Sequence, residues 1–192
     1  LLSSKITIET FIEDVVNHIV FENLNNIILI GHSFAGSVIS GVADRLKDRI
    51  QKLIYFDAMI LIDGQKPFDI TPKETVEQRI ELAKKFGNNI SIPAPSADAF
   101  GVFDIKKSLL LEEKLTPHPL SAFQSKLILK NEVGNGIPLS YVYCTKPIYK
   151  SLESSRAVVS KMKWPIFELN AGHDAMLTHP KETLNLLMKI CN

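Results

Sequence analysis

Residues 27–36 read Ile27-Ile28-Leu29-Ile30-Gly31-His32-Ser33-Phe34-Ala35-Gly36. Four consecutive apolar residues are typical of a strand that is buried on both faces, so we predict a central strand of a parallel sheet. The serine follows this strand directly and precedes a helical pattern that reaches about residue 47. The next apolar run, Leu53-Ile54-Tyr55-Phe56, predicts a second buried strand. Strand, helix and strand in this order predict parallel strands joined by a right-handed crossover.

The rest of the chain also alternates between helical and strand patterns. An amphipathic helix near the N-terminus has Ser3 or Ser4 available as its cap. That helix covers residues 8–19, and the further predicted elements are strands over 140–144 and 166–169 and helices over 152–160 and 180–190.

Residues 64–138 have a different pattern, in which prolines and glycines separate short helical segments. Thr71-Pro72-Lys73-Glu74 has the form of a capping box, and another short helix is predicted near residues 123–130. We interpret this stretch as a helical cap inserted over the sheet. The predicted fold class is therefore α/β, with a mostly parallel sheet and a cap at about residues 64–138, in one domain over residues 1–192.

The composition narrows the class of partner. The 22 basic and 21 acidic residues nearly cancel, so no net field favours nucleic acid or an anionic membrane. No apolar run is long enough to span a bilayer. The two cysteines, Cys144 and Cys191, do not form the pattern of a disulfide framework, which favours a cytoplasmic location. A small neutral molecule is the expected partner.

Ser33 lies where a serine nucleophile is expected. Gly31-His32-Ser33-Phe34-Ala35 matches the nucleophile-elbow pattern G-x-S-x-G with alanine in the final position, and it joins a predicted strand to a predicted helix as that motif requires. Small residues are needed there because the turn is sharp and larger side chains would collide with the strand and helix. The pattern predicts Ser33 as nucleophile and the amide of Phe34 as an oxyanion donor, although a serine that only caps a helix is the alternative.

A serine nucleophile requires a base, and His173 is the best candidate. It follows the last predicted strand in a loop, where the chain order of this fold places the base. The remaining histidines are weaker candidates, because surface, turn or helix-start positions explain them: His18, His32, His118 and His179. For His118, in the cap, we expect a surface loop, with a position lining a pocket as the alternative. Their spacing does not match a metal-binding motif, so we predict neither a metal nor another cofactor.

Several segments together resemble the α/β-hydrolase group of plant methyl-ester hydrolases, such as salicylate esterases, with hydroxynitrile lyases and bacterial relatives. They are Gly31-His32-Ser33-Phe34-Ala35-Gly36, Phe56-Asp57-Ala58-Met59, Asp63-Gly64-Gln65, Tyr141-Val142-Tyr143-Cys144-Thr145 and His173-Asp174-Ala175-Met176-Leu177. The resemblance covers nearly the whole chain and implies an α/β-hydrolase fold with ester-hydrolase activity. It also implies strands before the first helix and a second oxyanion donor from a His-Gly loop. The sequence contains no such segment, so we expect either a fragment of a longer polypeptide or a shortened gene.

The third catalytic residue departs from the plant pattern. In those proteins an aspartate follows Cys-Thr, but here the segment Cys144–Lys150 contains no carboxylate. Asp57 directly follows the strand after the nucleophile helix, where some other α/β-hydrolases carry this acid, so Asp57 is predicted to orient His173. The alternatives are that Asp57 only caps a loop, or that the acid is one of three others: Glu153, Asp63 or Asp174.

Three functional hypotheses follow. The first is hydrolysis of a small, largely apolar ester through an acyl-enzyme, under an apolar cap that includes Phe100, Phe103, residues 109–111, Pro119 and Phe123. The second is a non-catalytic or weakly active binding protein, because one oxyanion donor is missing. The third is a hydroxynitrile lyase that uses a cation such as Lys114.

Missing strands would also expose a sheet edge, which favours a homo-oligomer.

Overall fold

The computed structural model describes residues 2–191, which fold into a sheet covered by helices. The strands are β1 (Ile27–Ser33), β2 (Ile50–Ala58), β3 (Ser91–Ile92), β4 (His118–Pro119), β5 (Leu139–Cys144) and β6 (Ile166–Leu169). The helices are α1 (Ile8–Phe21), α2 (Ala35–Arg45), α3 (Pro67–Ile70), α4 (Lys73–Phe86), α5 (Ile105–Lys114), α6 (Leu120–Gln124), α7 (Glu153–Lys161), α8 (Ala175–Thr178) and α9 (Pro180–Cys191).

The main sheet has four parallel strands in the order β1-β2-β5-β6. Because side chains alternate along β2, Leu53 and Tyr55 pack in one apolar cluster with α1 and α2, while Ile54 and Phe56 pack in another with α9. Helices therefore cover both faces of the sheet. The predicted α/β class is confirmed.

The prediction that Ile27–Ile30 is a central strand was wrong for the described part of the chain. There, β1 pairs with β2 on one side only and forms an edge of the sheet. As a result, the side chain of Ile30 is 43% exposed although its sequence context is that of a buried strand. An apolar run indicates that the faces of a strand are buried, but it does not show whether another strand pairs with each of its edges.

Helix α1 packs closely on α2 through one small residue. A Cβ atom at Gly41 would lie 2.3 Å from Cδ1 of Ile12, so the absence of a side chain lets the two helices approach. The cap of α1 is Thr7, whose amide donates to Oγ1 of Thr10 at 3.1 Å, rather than Ser3 or Ser4. This contact fixes the start of the helix that backs α2.

Residues 64–138 contain helices α3 to α6 and the short antiparallel pair β3–β4. The predicted capping box is not formed, because the Thr71 hydroxyl donates to the Pro67 carbonyl at 2.8 Å. The helix predicted near residues 123–130 ends at Gln124. Beyond it, Leu127 and Leu129 are buried and Ile128 is 60% exposed, which is the alternation of an extended segment.

Within residues 2–191, every helix falls short of the combined length and apolarity that crossing a bilayer requires.

Candidate active site

Ser33 sits at a sharp turn between β1 and α2. Its φ angle of +54° lies in the left-handed region, which is unfavourable for a residue with a side chain. A Cβ atom at Gly31 would lie 2.7 Å from the Ala35 carbonyl oxygen, and one at Gly36 would lie 2.4 Å from that of Met59. The turn therefore requires glycine at both positions, which explains the small residues around the serine.

Phe34 occupies the N-cap position of α2, immediately after Ser33. The first amide groups of a helix lack acceptors inside the helix, and the helix dipole makes this end favourable for negative charge. The amide of Phe34 is thus at a suitable position to stabilise an oxyanion next to the Ser33 hydroxyl.

Three side chains from distant parts of the chain form one continuous hydrogen-bonded row. His173 follows β6 in a loop; its Nε2 lies 2.9 Å from Oγ of Ser33 and its Nδ1 lies 2.7 Å from Oδ2 of Asp57. Because a carboxylate oxygen accepts, Nδ1 donates to Asp57, and Nε2 can accept the proton of the serine hydroxyl. The side chains of Asp57 and His173 are 0% and 1% exposed, so water does not compete for these contacts.

Asp57 is also held by a cation that the sequence did not reveal. Nη2 of Arg156, on α7, lies 2.9 Å from Oδ1 of Asp57, and the amide of Cys144 donates to the same oxygen at 3.4 Å. The guanidinium carbon of Arg156 lies 4.0 Å from the centre of the Tyr143 ring. Arg156 is separated from Asp57 by 99 positions, and no local pattern marks it.

The other carboxylates weighed for the role of orienting acid lie elsewhere. Oδ1 of Asp63 accepts from the amide of Leu129 at 2.8 Å, and Glu153 is exposed at the start of α7. Asp174 follows His173 directly, but its carboxylate lies 3.9 Å from Nε2 of His32 and not in the row with Ser33. Burial raises the pKa of Asp174, and the nearby His173 partly offsets this shift.

His32 packs against the row from the side of β1. Its ring centre lies 4.4 Å from that of His173, and its Nε2 lies 3.1 Å from the His173 carbonyl oxygen. Burial lowers the pKa of His32 to about 4, and the neighbouring His173 ring contributes to the same shift. His32, His173 and Asp174 bring donor atoms within 4.8 Å of one another, but both ring nitrogens of His173 already have partners in Ser33 and Asp57.

A cavity of about 170 Å³ opens above Ser33, and residues from segment 64–138 line part of it. Its walls are mostly apolar; among the lining residues are Phe34, Met59, Ile92, Phe100, Leu115 and Phe123. His118 also lines the cavity, so its expected position on a surface loop was wrong. It is partly buried against the Phe34 and Phe123 rings, at centre distances of 4.6 Å and 4.9 Å.

Some residues expected around the site do not lie there. Phe103 and Leu109 are 70% and 64% exposed, and they are not part of the cavity wall. Lys114, the cation named for the lyase hypothesis, is exposed, and its Nζ lies 2.8 Å from Oε1 of Glu113. These side chains lie on or beside the amphipathic helix α5. The sequence alone does not tell whether its apolar residues face the cavity or the solvent.

No family model matches the chain, but individual proteins and solved structures do. A carbendazim-hydrolyzing esterase from Nocardioides sp. (strain SG-4G) is 30% identical over an alignment of 195 positions, which covers 95% of this chain and 78% of the relative. A putative chloroplastic methylesterase 14 of Arabidopsis thaliana is 35% identical over an alignment of 71 positions, which covers 35% of this chain and 20% of the relative.

A solved structure is similar over nearly the whole chain. It is an extracellular α/β-hydrolase from a Paenibacillus species, described as sharing structural and functional homology with tobacco salicylic acid binding protein 2. The TM-score is 0.84 at 28% identity, over 98% of this chain and 81% of the other.

The fold and these relatives define an α/β-hydrolase. The chain belongs to the esterases of that family and is a carboxylic-ester hydrolase.

Proposed function

We propose that the protein hydrolyses small, largely apolar carboxylic esters through an acyl-enzyme, with Ser33 as nucleophile, His173 as base and Asp57 as orienting acid. The observation that carries the proposal is the row of contacts from Ser33 through His173 to Asp57, at 2.9 Å and 2.7 Å. Both distances are within the range required for proton transfer between a nucleophile, its base and the acid behind it.

The reaction follows from these contacts. Oγ of Ser33 attacks the ester carbonyl while its proton passes to Nε2 of His173, and the amide of Phe34 stabilises the negative oxygen. The imidazolium, held by Asp57, returns the proton to the departing alkoxide, so an alcohol and an acyl-serine remain. Water then gives a proton to His173 and attacks the acyl group, and the collapse of this intermediate releases the acid and restores Ser33.

The cavity supports the proposed class of substrate. Its volume of about 170 Å³ is below the range of about 300 to 1,000 Å³ that is usual for drug-sized ligands, which favours a small ester. Its largely aromatic and aliphatic wall favours an apolar group beside the reacting carbonyl. The relative named for carbendazim hydrolysis supports the same reaction class.

The proposal also includes the surroundings of the enzyme. Cys144 and Cys191 are both free, which supports a reducing compartment, and we propose the cytoplasm. The partner is the small-molecule ester, with no role for nucleic acid or a membrane. Cell fractionation that recovers the protein outside the cytoplasm would contradict this location.

A fluorophosphonate probe followed by peptide mass spectrometry tests the nucleophile. We expect labelling of wild-type protein at Ser33, none in Ser33→Ala, and full labelling in Ser37→Ala, which removes a buried hydroxyl from helix α2 next to the elbow. A chain that binds esters but is neither labelled nor able to hydrolyse neutral aryl or alkyl esters would instead be a binding protein.

A second measurement tests Asp57 against the other carboxylates. Asp57→Asn is expected to lower kcat by about 10⁴-fold, because the amide favours the wrong imidazole tautomer. Glu153→Gln changes an exposed carboxylate and is expected to retain wild-type kcat. A large loss in the Glu153 variant, or unchanged kcat in Asp57→Asn, would contradict the assignment.

A further inference from the structure

The apolar cavity above Ser33 contains one permanently charged side chain, Arg79. It lies on α4 and lines the same cavity as Ser33. Its guanidinium carbon is 5.0 Å from the centre of the Phe123 ring, so one face of the group is covered by an aromatic side chain. An arginine in such surroundings needs acceptors, because a desolvated cation is costly without them.

The described residues supply few acceptors to this guanidinium. Within residues 2–191, Nη2 donates to the Tyr149 hydroxyl at a long 3.3 Å, while Nη1 is buried and has no hydrogen-bond partner. None of the carboxylates in that range forms a salt bridge with Arg79, in contrast to Arg45 and Arg156. The group therefore has unused donors and an uncompensated charge.

The charge of Arg79 reaches the part of the cavity beside Ser33. Burial is the main cause that lowers the pKa of His118, and the positive charge of Arg79 lowers it further. The Phe34 and Phe123 ring centres are 5.3 Å apart, so Arg79 is two aromatic contacts away from the residue that follows Ser33. An ester group at Ser33 and a second group at Arg79 can therefore belong to one small molecule.

We propose that Arg79 binds a carboxylate at the far end of the substrate, so that the preferred ester has an apolar body and one terminal anionic group. This rests on the proposed ester hydrolysis and refines its substrate class. A guanidinium offers paired N–H donors that match the two oxygens of a carboxylate, and the buried Nη1 together with Nη2 would provide such a pair.

A neighbouring cavity explains how the anionic end would be accommodated. Arg79 and Tyr149 line both the cavity above Ser33 and an adjoining one of about 540 Å³. The adjoining cavity has several polar residues in its wall: Thr75, Gln78, Ser96 and Ser151. A carboxylate at Arg79 would thus lie between an apolar chamber for the body of the ester and a more polar one.

Binding to a chain that cannot turn the ligand over tests this proposal. We would measure, by calorimetry on Ser33→Ala, the affinity for monomethyl esters of succinate, glutarate, adipate and suberate, and for the corresponding dimethyl esters. The matched variants add Arg79→Met, Arg79→Lys, or Lys84→Met, which changes an exposed cation on the same helix.

At least one monomethyl ester is expected to bind about tenfold or more tightly than its dimethyl counterpart, which is the size of effect typical of a hydrogen bond to a charged group. Arg79→Met should abolish this preference, Arg79→Lys should keep part of it, and Lys84→Met should leave it unchanged. Equal affinity for both ester types across the series, or an equal loss for both in Arg79→Met, would overturn the proposal.

This outcome is separate from that of the proposed reaction. If the wild-type chain is not labelled at Ser33 but the preference depends on Arg79, the hydrolytic mechanism fails and the carboxylate site stands. If labelling occurs without such a preference, the mechanism stands and the carboxylate site fails.

Discussion

Asp57 has charged or ionisable partners on both oxygens, with His173 on Oδ2 and Arg156 on Oδ1. The carboxylate is fully buried and the Arg156 side chain is 12% exposed, so neither charge has water as a good alternative partner. Removing one member of a buried ion pair costs far more than the pair contributes, because the remaining charge is left alone.

We therefore expect Arg156→Met to lower the free energy of unfolding by about 3–5 kcal/mol, measured by urea denaturation. The control is Arg45→Met, which breaks an exposed pair with Glu9 at 2.7 Å and should cost at most about 1 kcal/mol. In Asp57→Asn the further loss caused by Arg156→Met should be much smaller, because the amide carries no charge. Equal losses in the two backgrounds would show that packing on Tyr143, rather than charge, makes Arg156 important.

His32 makes the stability of the protein depend on pH. Its pKa is about 4 in the folded chain, against 6.5 for an unburied histidine, so unfolding takes up a proton between these values. Stability must then fall as the pH decreases from about 6.5 to about 4. We expect His32→Asn to lose less Tm than wild type between pH 7 and pH 5, measured by scanning calorimetry, while the exposed His18→Asn behaves as wild type. If His32→Asn loses as much Tm between pH 7 and pH 5 as wild type does, this account is refuted.

Single residues were predictable from sequence where a motif fixes their place. Ser33 follows from the elbow pattern, and His173 from its position after the last strand. Asp57 follows from its position at the end of β2. The catalytic roles of Ser33, His173 and Asp57 stay predictions. Arg79 and Arg156 were not predictable, because each acquires its neighbours from segments far along the chain and nothing in its own surroundings distinguishes it from a surface arginine.

Helix α2 approaches β2 closely enough to restrict which side chains fit between them. A Cβ atom at Gly36 would lie 2.4 Å from the Met59 carbonyl oxygen and 2.7 Å from Cβ of Ala58. Gly36→Ala should therefore lower the free energy of unfolding by about 1–3 kcal/mol through overpacking. Ser37→Ala is the control. It removes a buried hydroxyl that has no hydrogen-bond partner among residues 2–191, so the free energy of unfolding should stay the same or rise slightly. If Gly36→Ala unfolds at the same temperature as wild type, the helix can shift to make room for the methyl group.

Elements were predicted well where side-chain periodicity is set by the element itself. Helices α1, α2 and α9 and strands β2, β5 and β6 lie close to their predicted positions. Errors arose where contacts between segments decide the structure, as in residues 125–130, where the amide of Leu127 bonds to Gln65 and that of Leu129 to Asp63. The hairpin β3–β4 was also missed, since two residues per strand are too few to show alternation.

At the scale of the whole molecule, the described chain leaves one long edge of the sheet unpaired. Strand β1 has seven residues and pairs only with β2 within residues 2–191, so amide and carbonyl groups on its other side have no strand partner there. Ile30, at 43% exposure, adds apolar surface to this edge. Long, apolar edges favour pairing with another chain, and natural proteins prevent this by placing lysine on them.

We therefore expect this chain to self-associate with rising concentration, and Ile30→Lys to shift it toward monomer in sedimentation velocity experiments. Phe21→Lys removes a more exposed apolar side chain, at 81% exposure, from the end of α1 and should leave the association unchanged. If both variants dissociate the assembly equally, general hydrophobic contact rather than the β1 edge drives it. A wild-type chain that is monomeric at every concentration would show that β1 is protected in solution. Because Ser33 ends this same strand, association through β1 would place a second chain beside the proposed site and couple its activity to concentration.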